Sequence, residues 1–148
     1  MIDPTPNTEI ALVMARYNQL WKPGNLGRAG EVIHEHFVRH GSSGTLSGVP
    51  AFVRYVTHYL DAFPDLAFAV DDWFGARDRL MVRYSFTGTQ VRSFMGVAAS
   101  GRRVHADGIA IYRVADHRLV EIWDYLDLFG LARQLDAPLP LLEPALSF

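Results

Sequence analysis

The chain has 148 residues, a formal net charge of -2 and no cysteine, and 49% of its residues are hydrophobic against 20% charged. This balance excludes a disordered or fibrous chain and predicts one globular domain over residues 1–148. The basic residues are scattered, which argues against nucleic-acid binding. No apolar run approaches the roughly 20 residues of a membrane span, which argues against a membrane location. Without a thiolate, iron–sulfur and cysteine chemistry are excluded.

The amino-terminal segment, MIDPTPNTEI, has neither the basic region nor the long apolar stretch of a secretion signal, so we expect a cytoplasmic location. Thr5 and Pro6 are suited to the cap and first turn of a helix. Apolar residues then recur at helical spacing and predict a first helix that packs by one face. These residues are Ile10, Val13, Met14, Tyr17, Leu20 and Trp21.

Two more helices are predicted before any strand. The breaker sequence at 22–25 ends the first helix, and a shorter second helix is expected over residues 26–36. After the loop at 41–44, a third helix begins at Gly48-Val49-Pro50 and ends before Pro64. Its buried face is predicted to carry Phe52, Val53, Val56, Leu60 and Phe63.

After Pro64 the pattern changes to the alternation of apolar and polar residues that is typical of strands. We predict a hairpin of strands over 66–74 and 79–90, and a second hairpin over 102–114 and 118–126, with a less regular stretch between them. A short helix is expected over 128–135. The prolines at 138, 140 and 144 predict an irregular arm on the surface.

Helices followed by an antiparallel meander define an α+β protein. We expect three N-terminal helices to pack on a curved, mainly antiparallel sheet, forming a cone-shaped α+β barrel with an apolar pocket at its open end. An apolar small molecule is the expected ligand of this pocket. The residues predicted to line it are Trp21, Tyr55, Tyr59, Phe63, Tyr84 and Met95.

The last predicted hairpin contains the best candidate for catalysis, Asp124. A three-residue loop would put Val114 opposite Arg118, and Asp124 would then lie opposite Gly108. The same face carries Ala106, Ala110, Tyr112, Ile122 and Leu126. Small residues there leave a hole in which a desolvated carboxylate is suited to acid/base chemistry. His40 or Tyr112 is expected to hydrogen-bond an enolate oxygen of the ligand.

The opposite face of this hairpin is more polar, and two interpretations remain open for it. In the first it is a surface, with a cross-strand ion pair between Arg113 and Glu121. In the second, His105, Asp107 and Asp127 form the site and activate water for epoxide hydrolysis. The register leaves both open, because a loop one residue longer would reverse the pairing of odd and even positions between the strands. The first interpretation also predicts a homodimer through the apolar residues of this face, which are Ile109, Ile111, Trp123 and Tyr125.

No metal or cofactor is expected. His34 and His36 are two apart on a predicted helix and point in different directions, and neither they nor His40 and His58 belong to an H-E-x-x-H pattern. The nucleophile elbow Gly-x-Ser-x-Gly, the Walker loop and the dinucleotide motif G-x-G-x-x-G are also absent from the sequence.

The carboxyl-terminal third, GRRVHADGIAIYRVADHRLVEIWDYLDLFGLARQL, resembles the closing hairpin and helix of the SnoaL-like polyketide cyclases. Earlier segments resemble landmarks of the same family in the same order: FVRH with its following glycine, FPD at 63–65, and Gly88-Thr89. The most specific positions of this resemblance are Arg113, the stretch 121–124, Asp127 and the pair 134–135.

The resemblance implies the cystatin-like fold of nuclear transport factor two and an intramolecular aldol condensation without metal or cofactor. It also implies that the family's acid/base aspartate falls on Asp124, and it too points to a homo-oligomer. Two positions depart from the family pattern: an assisting histidine falls on Ala110, and the histidine common after the Gly-Thr pair is Gln90. The family also includes hydroxylation partners and isomerase-like members.

Three functions therefore follow from the sequence. The leading hypothesis is a cofactor-free enzyme in which Asp124 moves a proton at an activated carbon of an apolar, polyketide-like ketone, giving aldol cyclisation or isomerisation. The second is the epoxide hydrolysis described above. The third is a binding module of the same fold without catalysis, because one desolvated aspartate does not by itself make an enzyme.

Overall fold

The computed structural model describes residues 8–138. The helices are α1 (Thr8–Leu20), a 3₁₀ turn (Leu26–Arg28), α2 (Ala29–Val32), α3 (Val49–Ala62) and α4 (Leu128–Gln134). The strands are β1 (Ile33–Gly41), β2 (Gly44–Ser47), β3 (Ala67–Ala76), β4 (Arg79–Thr89), β5 (Arg103–Ala115) and β6 (Arg118–Leu126). The expected cap at Thr5-Pro6 and the prolines at 140 and 144 lie outside the described residues. None of the helices within 8–138 is long and apolar enough to cross a membrane.

The strands form one six-stranded sheet in the order β2-β1-β6-β5-β4-β3. All neighbouring pairs are antiparallel except β1 and β6, which are parallel. Helix α1 buries the predicted face through Ile10, Val13, Tyr17 and Leu20. The helices and the mostly antiparallel sheet confirm the α+β class.

The predicted second helix over 26–36 is wrong beyond Val32, because the chain continues as strand β1. The β-branched pair Val32-Ile33 begins this change, and β1 finds its hydrogen-bond partners in β6, far along the chain, and in β2. Two strands therefore lie between the second and third helices. On a strand, residues two apart share a face, so the rings of His34 and His36 lie 5.4 Å apart.

The register of the β5–β6 hairpin also differs from the prediction. Its turn has two residues, Asp116 and His117, both with positive φ (52° and 58°), as a two-residue hairpin turn requires. A bulge follows, and Asp124 lies opposite Ala110 instead of Gly108. The error is two residues, and since side chains alternate with a period of two, the predicted face of Asp124 is confirmed.

Candidate active site

A cavity of about 370 Å³ lies between α1, α3 and the sheet. Residues from α1, α3 and strands β3 to β6 line it, and aromatic and aliphatic side chains predominate. Among the described residues that line it, Asp124 is the carboxylate. The lining residues are Ala11, Met14, Tyr17, Asn18, Trp21, Tyr55, Tyr59, Phe68, Val70, Trp73, Leu80, Val82, Tyr84, Tyr112, Asp124 and Leu126.

The Asp124 carboxylate is held through both oxygens. The hydroxyl of Tyr84 donates to Oδ1 at 2.6 Å, and Nη2 of Arg39 donates to Oδ2 at 3.0 Å. The Asp124 side chain is 15% exposed and that of Arg39 is 5% exposed. A charge-assisted bond between a guanidinium and a carboxylate is among the stronger hydrogen bonds in proteins, so this arrangement fixes the position of the carboxylate.

Two glycines make room for the groups that hold Asp124. Gly41 lies opposite Asp124 in the parallel β1–β6 pair, and a Cβ there would stand 2.5 Å from Nη1 of Arg39. Gly108 lies opposite Tyr84 in the β4–β5 pair, and a Cβ there would overlap the Tyr84 ring. The space that the sequence analysis interpreted as a hole above Gly108 is thus occupied by Tyr84, whose hydroxyl reaches across β5 to Asp124 on β6.

Five tyrosines, Tyr17, Tyr55, Tyr59, Tyr84 and Tyr112, line the cavity. Burial raises the pKa of each above its ordinary value, and the negative charge of Asp124 acts in the same direction. At neutral pH these side chains are therefore neutral phenols that can donate hydrogen bonds to an oxygen of a bound molecule.

The structure brings together most of the side chains predicted to form the pocket. Trp21, Tyr55, Tyr59 and Tyr84 line the cavity, and so does Tyr112, which was expected to support Asp124. Two predicted lining residues lie elsewhere. Phe63 is fully buried against Phe86 and Phe94, and Met95 is 48% exposed in a separate depression beside α4.

His40 does not face the cavity. On a strand its side chain points away from that of its neighbour Arg39, which is the buried one of the two. The His40 ring stacks on Trp123, and its Nε2 lies 2.8 Å from Oε1 of Glu121. His40 was expected to hydrogen-bond the ligand in the pocket. It lies instead on the outer face of the sheet, because it is part of strand β1 and alternates with the buried Arg39.

The set proposed for epoxide hydrolysis is also on the outer face. His105 Nε2 lies 3.0 Å from Oδ1 of Asp107, and both side chains are more than half exposed. Asp127 caps α4, where its side chain accepts a hydrogen bond from the backbone of Gly130 at 2.9 Å. These three residues lie outside the cavity, so the geometry does not support water activation by them.

The surface interpretation of this outer face is confirmed in one detail. Nε and Nη2 of Arg113 donate to the same oxygen of Glu121 at 3.0 Å and 2.9 Å. Burial alone would raise the pKa of Glu121, but its hydrogen bonds with His40 and Arg113 outweigh that effect and lower the pKa. The charged groups of this face are therefore paired with one another instead of with Asp124.

Arg39 is the site residue that the sequence analysis missed. Two signals point to it: Arg39 belongs to the FVRH landmark, and it stands two residues after Phe37, whose side chain is also buried on the inner face of β1. The assignment of a helix up to His36 concealed that alternation. Phe68, Val70 and Trp73 of β3 were also missed as lining residues, because an edge strand with both faces partly exposed gives no clear sign of which face meets the cavity.

Comparison with known proteins agrees with this fold. The family described as "SnoaL-like polyketide cyclase" matches residues 11–135. The chain belongs to this family.

Among its relatives is aklanonic acid methyl ester cyclase DnrD of Streptomyces peucetius, which is 27% identical over 141 residues, covering 93% of this chain and 97% of DnrD. TsrD from Streptomyces laurentii superposes with a TM-score of 0.79 at 25% identity, covering 90% of this chain and 99% of TsrD. A SnoaL-like polyketide cyclase from Agrobacterium tumefaciens has the same fold, with a TM-score of 0.71 at 21% identity, covering 83% of this chain and 94% of that protein.

Proposed function

We propose that this protein is a cofactor-free acid/base enzyme that acts on an apolar, polyketide-like ketone, with Asp124 as the group that moves the proton. The observation that carries the proposal is the Asp124 carboxylate in an aromatic cavity, held through both oxygens by Tyr84 and Arg39. An apolar wall with a few convergent polar groups is typical of a small-molecule site. Distant similarity to an aklanonic acid methyl ester cyclase supports the same chemistry.

In an aldol cyclisation, the Asp124 carboxylate removes a proton from a carbon next to a carbonyl group. The enolate carbon then attacks a second carbonyl carbon of the same molecule, so a carbon–carbon bond forms and a C=O π bond breaks. The resulting alkoxide takes back the proton that Asp124 holds. In an isomerisation, the proton would return to a different carbon. Both reactions are redox-neutral, and neither consumes a co-reactant.

The tyrosines supply the second requirement of this chemistry, which is a donor for the oxyanion that develops in the transition state. Tyr112 and Tyr59 are candidates, because both residues line the cavity and neither is among the groups that donate to Asp124. Ala110, opposite Asp124, stands where the resemblance implies an assisting histidine. We therefore propose that a tyrosine hydroxyl donates the hydrogen bond that the assisting histidine would donate in the family.

The test is an assay of the wild type and Asp124→Asn against a panel of polyketide-like ketones. Loss of a general acid/base typically lowers the rate by about 10²- to 10⁴-fold. Asp107→Asn is the matched control, since that carboxylate lies on the outer face and its loss should leave the rate unchanged. An unimpaired Asp124→Asn enzyme would overturn the assignment. A ketone that is bound by Asp124→Ala and returned unchanged by the wild type would instead indicate a binding module.

A further inference from the structure

We propose that Arg39 is a positioning residue for Asp124: its guanidinium fixes the orientation of the carboxylate for proton transfer. The inference rests on the proposed function of Asp124 and adds a residue to it. Arg39 does not line the cavity, so it acts through the carboxylate and not on the bound molecule.

Little of the Arg39 and Asp124 side chains is exposed to solvent. The Arg39 side chain is 5% exposed, and a buried guanidinium without a counter-charge is strongly unfavourable. Asp124 supplies that charge at 3.0 Å. The dependence is mutual, since the carboxylate is only 15% exposed itself. Each group therefore supplies the counter-charge of the other in a part of the protein that would otherwise favour neutral side chains.

Gly41 leaves space for the Arg39 guanidinium, and the ring of Tyr55 packs against it. Gly41 faces Asp124 across the β1–β6 pair, and any side chain at this position would occupy the space that the Arg39 guanidinium fills. The other side of the guanidinium is covered by the ring of Tyr55, whose centroid lies 4.2 Å from Cζ. This cation–π contact holds the guanidinium in place beside the carboxylate.

The hydrogen bonding of Arg39 is directed to Asp124. Buried polar groups normally have a hydrogen-bond partner. Here Nε and Nη1 have no hydrogen-bond partner among residues 8–138, and Nη2 donates to Asp124. The directional bonding of Arg39 in the described part of the chain is thus directed to the carboxylate.

The remaining ionisable groups that face Asp124 are phenols from the elements packed around it. They are Tyr17 from α1, Tyr55 and Tyr59 from α3, Tyr84 from β4 and Tyr112 from β5. A neutral phenol can donate a hydrogen bond to the carboxylate, but it cannot balance its charge. Within the described residues that surround the carboxylate, Arg39 is the cation.

The experiment records the carboxyl carbons of ¹³C-labelled aspartate by NMR at neutral pH, with the Asp124 signal assigned by its loss in Asp124→Asn. In Arg39→Gln we expect this signal to change its chemical shift and to broaden, because the guanidinium that donates to Oδ2 and holds the carboxylate is gone. Arg39→Lys retains a charged donor and should restore part of the wild-type signal. Arg113→Gln removes the partner of Glu121 on the outer face and should leave the Asp124 signal unchanged.

An Asp124 signal with the same chemical shift and width in the wild type and in a folded Arg39→Gln protein would overturn the proposal. If Arg39→Gln does not fold, the Nη protons of Arg39 are compared between the wild type and Asp124→Asn. This substitution removes the negative charge at position 124 and hardly changes the size of the side chain. We expect their resonance to move upfield and their exchange with water to accelerate when the carboxylate is lost. Unchanged Arg39 protons would refute the inference. Neither readout needs a substrate, so a failure here is distinguishable from a failure of the proposed reaction.

Discussion

Tyr84 reaches Asp124 only because residue 108 is a glycine. The Tyr84 ring lies over the Gly108 backbone, so that its hydroxyl spans strand β5 and donates to the carboxylate on β6 at 2.6 Å. A methyl group at position 108 would overlap the ring. The arrangement of the site therefore depends on a position that carries no functional group.

Gly108→Ala should displace Tyr84 and break its hydrogen bond to Asp124. We expect the free energy of unfolding to fall by about 1 to 3 kcal/mol, the usual effect of overpacking a well-filled interior, as measured by urea denaturation. Gly30→Ala is the control, because Gly30 lies in α2 and a Cβ added there would have nothing within 4 Å, so the change should be neutral or slightly stabilising. Equal stabilities of Gly108→Ala and the wild type would contradict this packing.

Gln90 organises the irregular segment between β4 and β5. It is fully buried, and its Oε1 accepts hydrogen bonds from the backbone and the hydroxyl of Ser100, while its Nε2 donates to the Val97 carbonyl. Gln90→Ala should lower the free energy of unfolding by about 1 to 3 kcal/mol, because partners of a buried amide lose their hydrogen bonds.

Hydrogen exchange gives the local readout for Gln90. The backbone amide of Ser100 should exchange faster in Gln90→Ala, whereas Gln19→Ala, at an exposed position of α1, should affect neither stability nor the Ser100 amide. Unchanged protection of Ser100 in Gln90→Ala would show that the segment is held by other contacts.

The helices and strands were predicted correctly where neighbouring residues in the sequence determine the pattern. Alternation along β4, β5 and β6 and the apolar stripe of α1 follow from neighbouring residues, and the strand bounds 118–126 match β6. The turn of the last hairpin has two residues, Asp116 and His117, where three were predicted. The partner of Asp124 is therefore two residues from the predicted one, and an even offset keeps Asp124 on the predicted face.

The missed features depend on contacts between distant parts of the chain. Strand β1 is stabilised by a parallel neighbour more than 80 residues away, as the partners Arg39 and Ile122 illustrate, and local propensity does not report such a partner. Arg39 was missed for the same reason. An arginine in a sequence is normally read as exposed, and only its counter-charge on β6 explains its burial.

Alkaline pH should destabilise the protein through the cavity tyrosines. Their pKa in the folded protein lies above the ordinary value of 10.0, so above pH 10 the folded state binds more protons than the unfolded state does. The free energy of unfolding is then retained below pH 10 and falls as the pH rises beyond it. The phenolate absorbance of these residues should appear together with loss of tertiary structure. Tyr125→Phe, which removes an exposed phenol, sharpens this signal.

Gradual ionisation of the cavity tyrosines near pH 10, in a protein that stays folded by circular dichroism, would contradict their burial. Tyr84→Phe provides an internal check, because it removes a buried phenol and should reduce the amplitude of the cooperative step.

We also propose that the outer face of the sheet forms a homodimer. Ile109 and Tyr125 are about half exposed there, and Trp123 lies between the His40 ring and the guanidinium of Arg79. Trp and Tyr are favoured anchors of interfaces, so Trp123→Glu should shift the protein towards monomer in light scattering while the fold is retained.

Leu12→Glu is the control for the dimer, since Leu12 is 57% exposed on α1, away from the outer face of the sheet. Its mass in solution should equal that of the wild type. A wild-type protein that remains monomeric at high concentration would refute the proposed interface.

The most direct measurement of the central claim follows proton transfer itself. A ketone that the enzyme accepts, prepared without the second carbonyl group so that it cannot cyclise, is incubated in D₂O with the wild type or Asp124→Asn. If Asp124 moves the proton, the wild type should incorporate deuterium at the carbon next to the carbonyl at least about 100-fold faster than Asp124→Asn. Equal rates of incorporation by the two proteins would contradict the account.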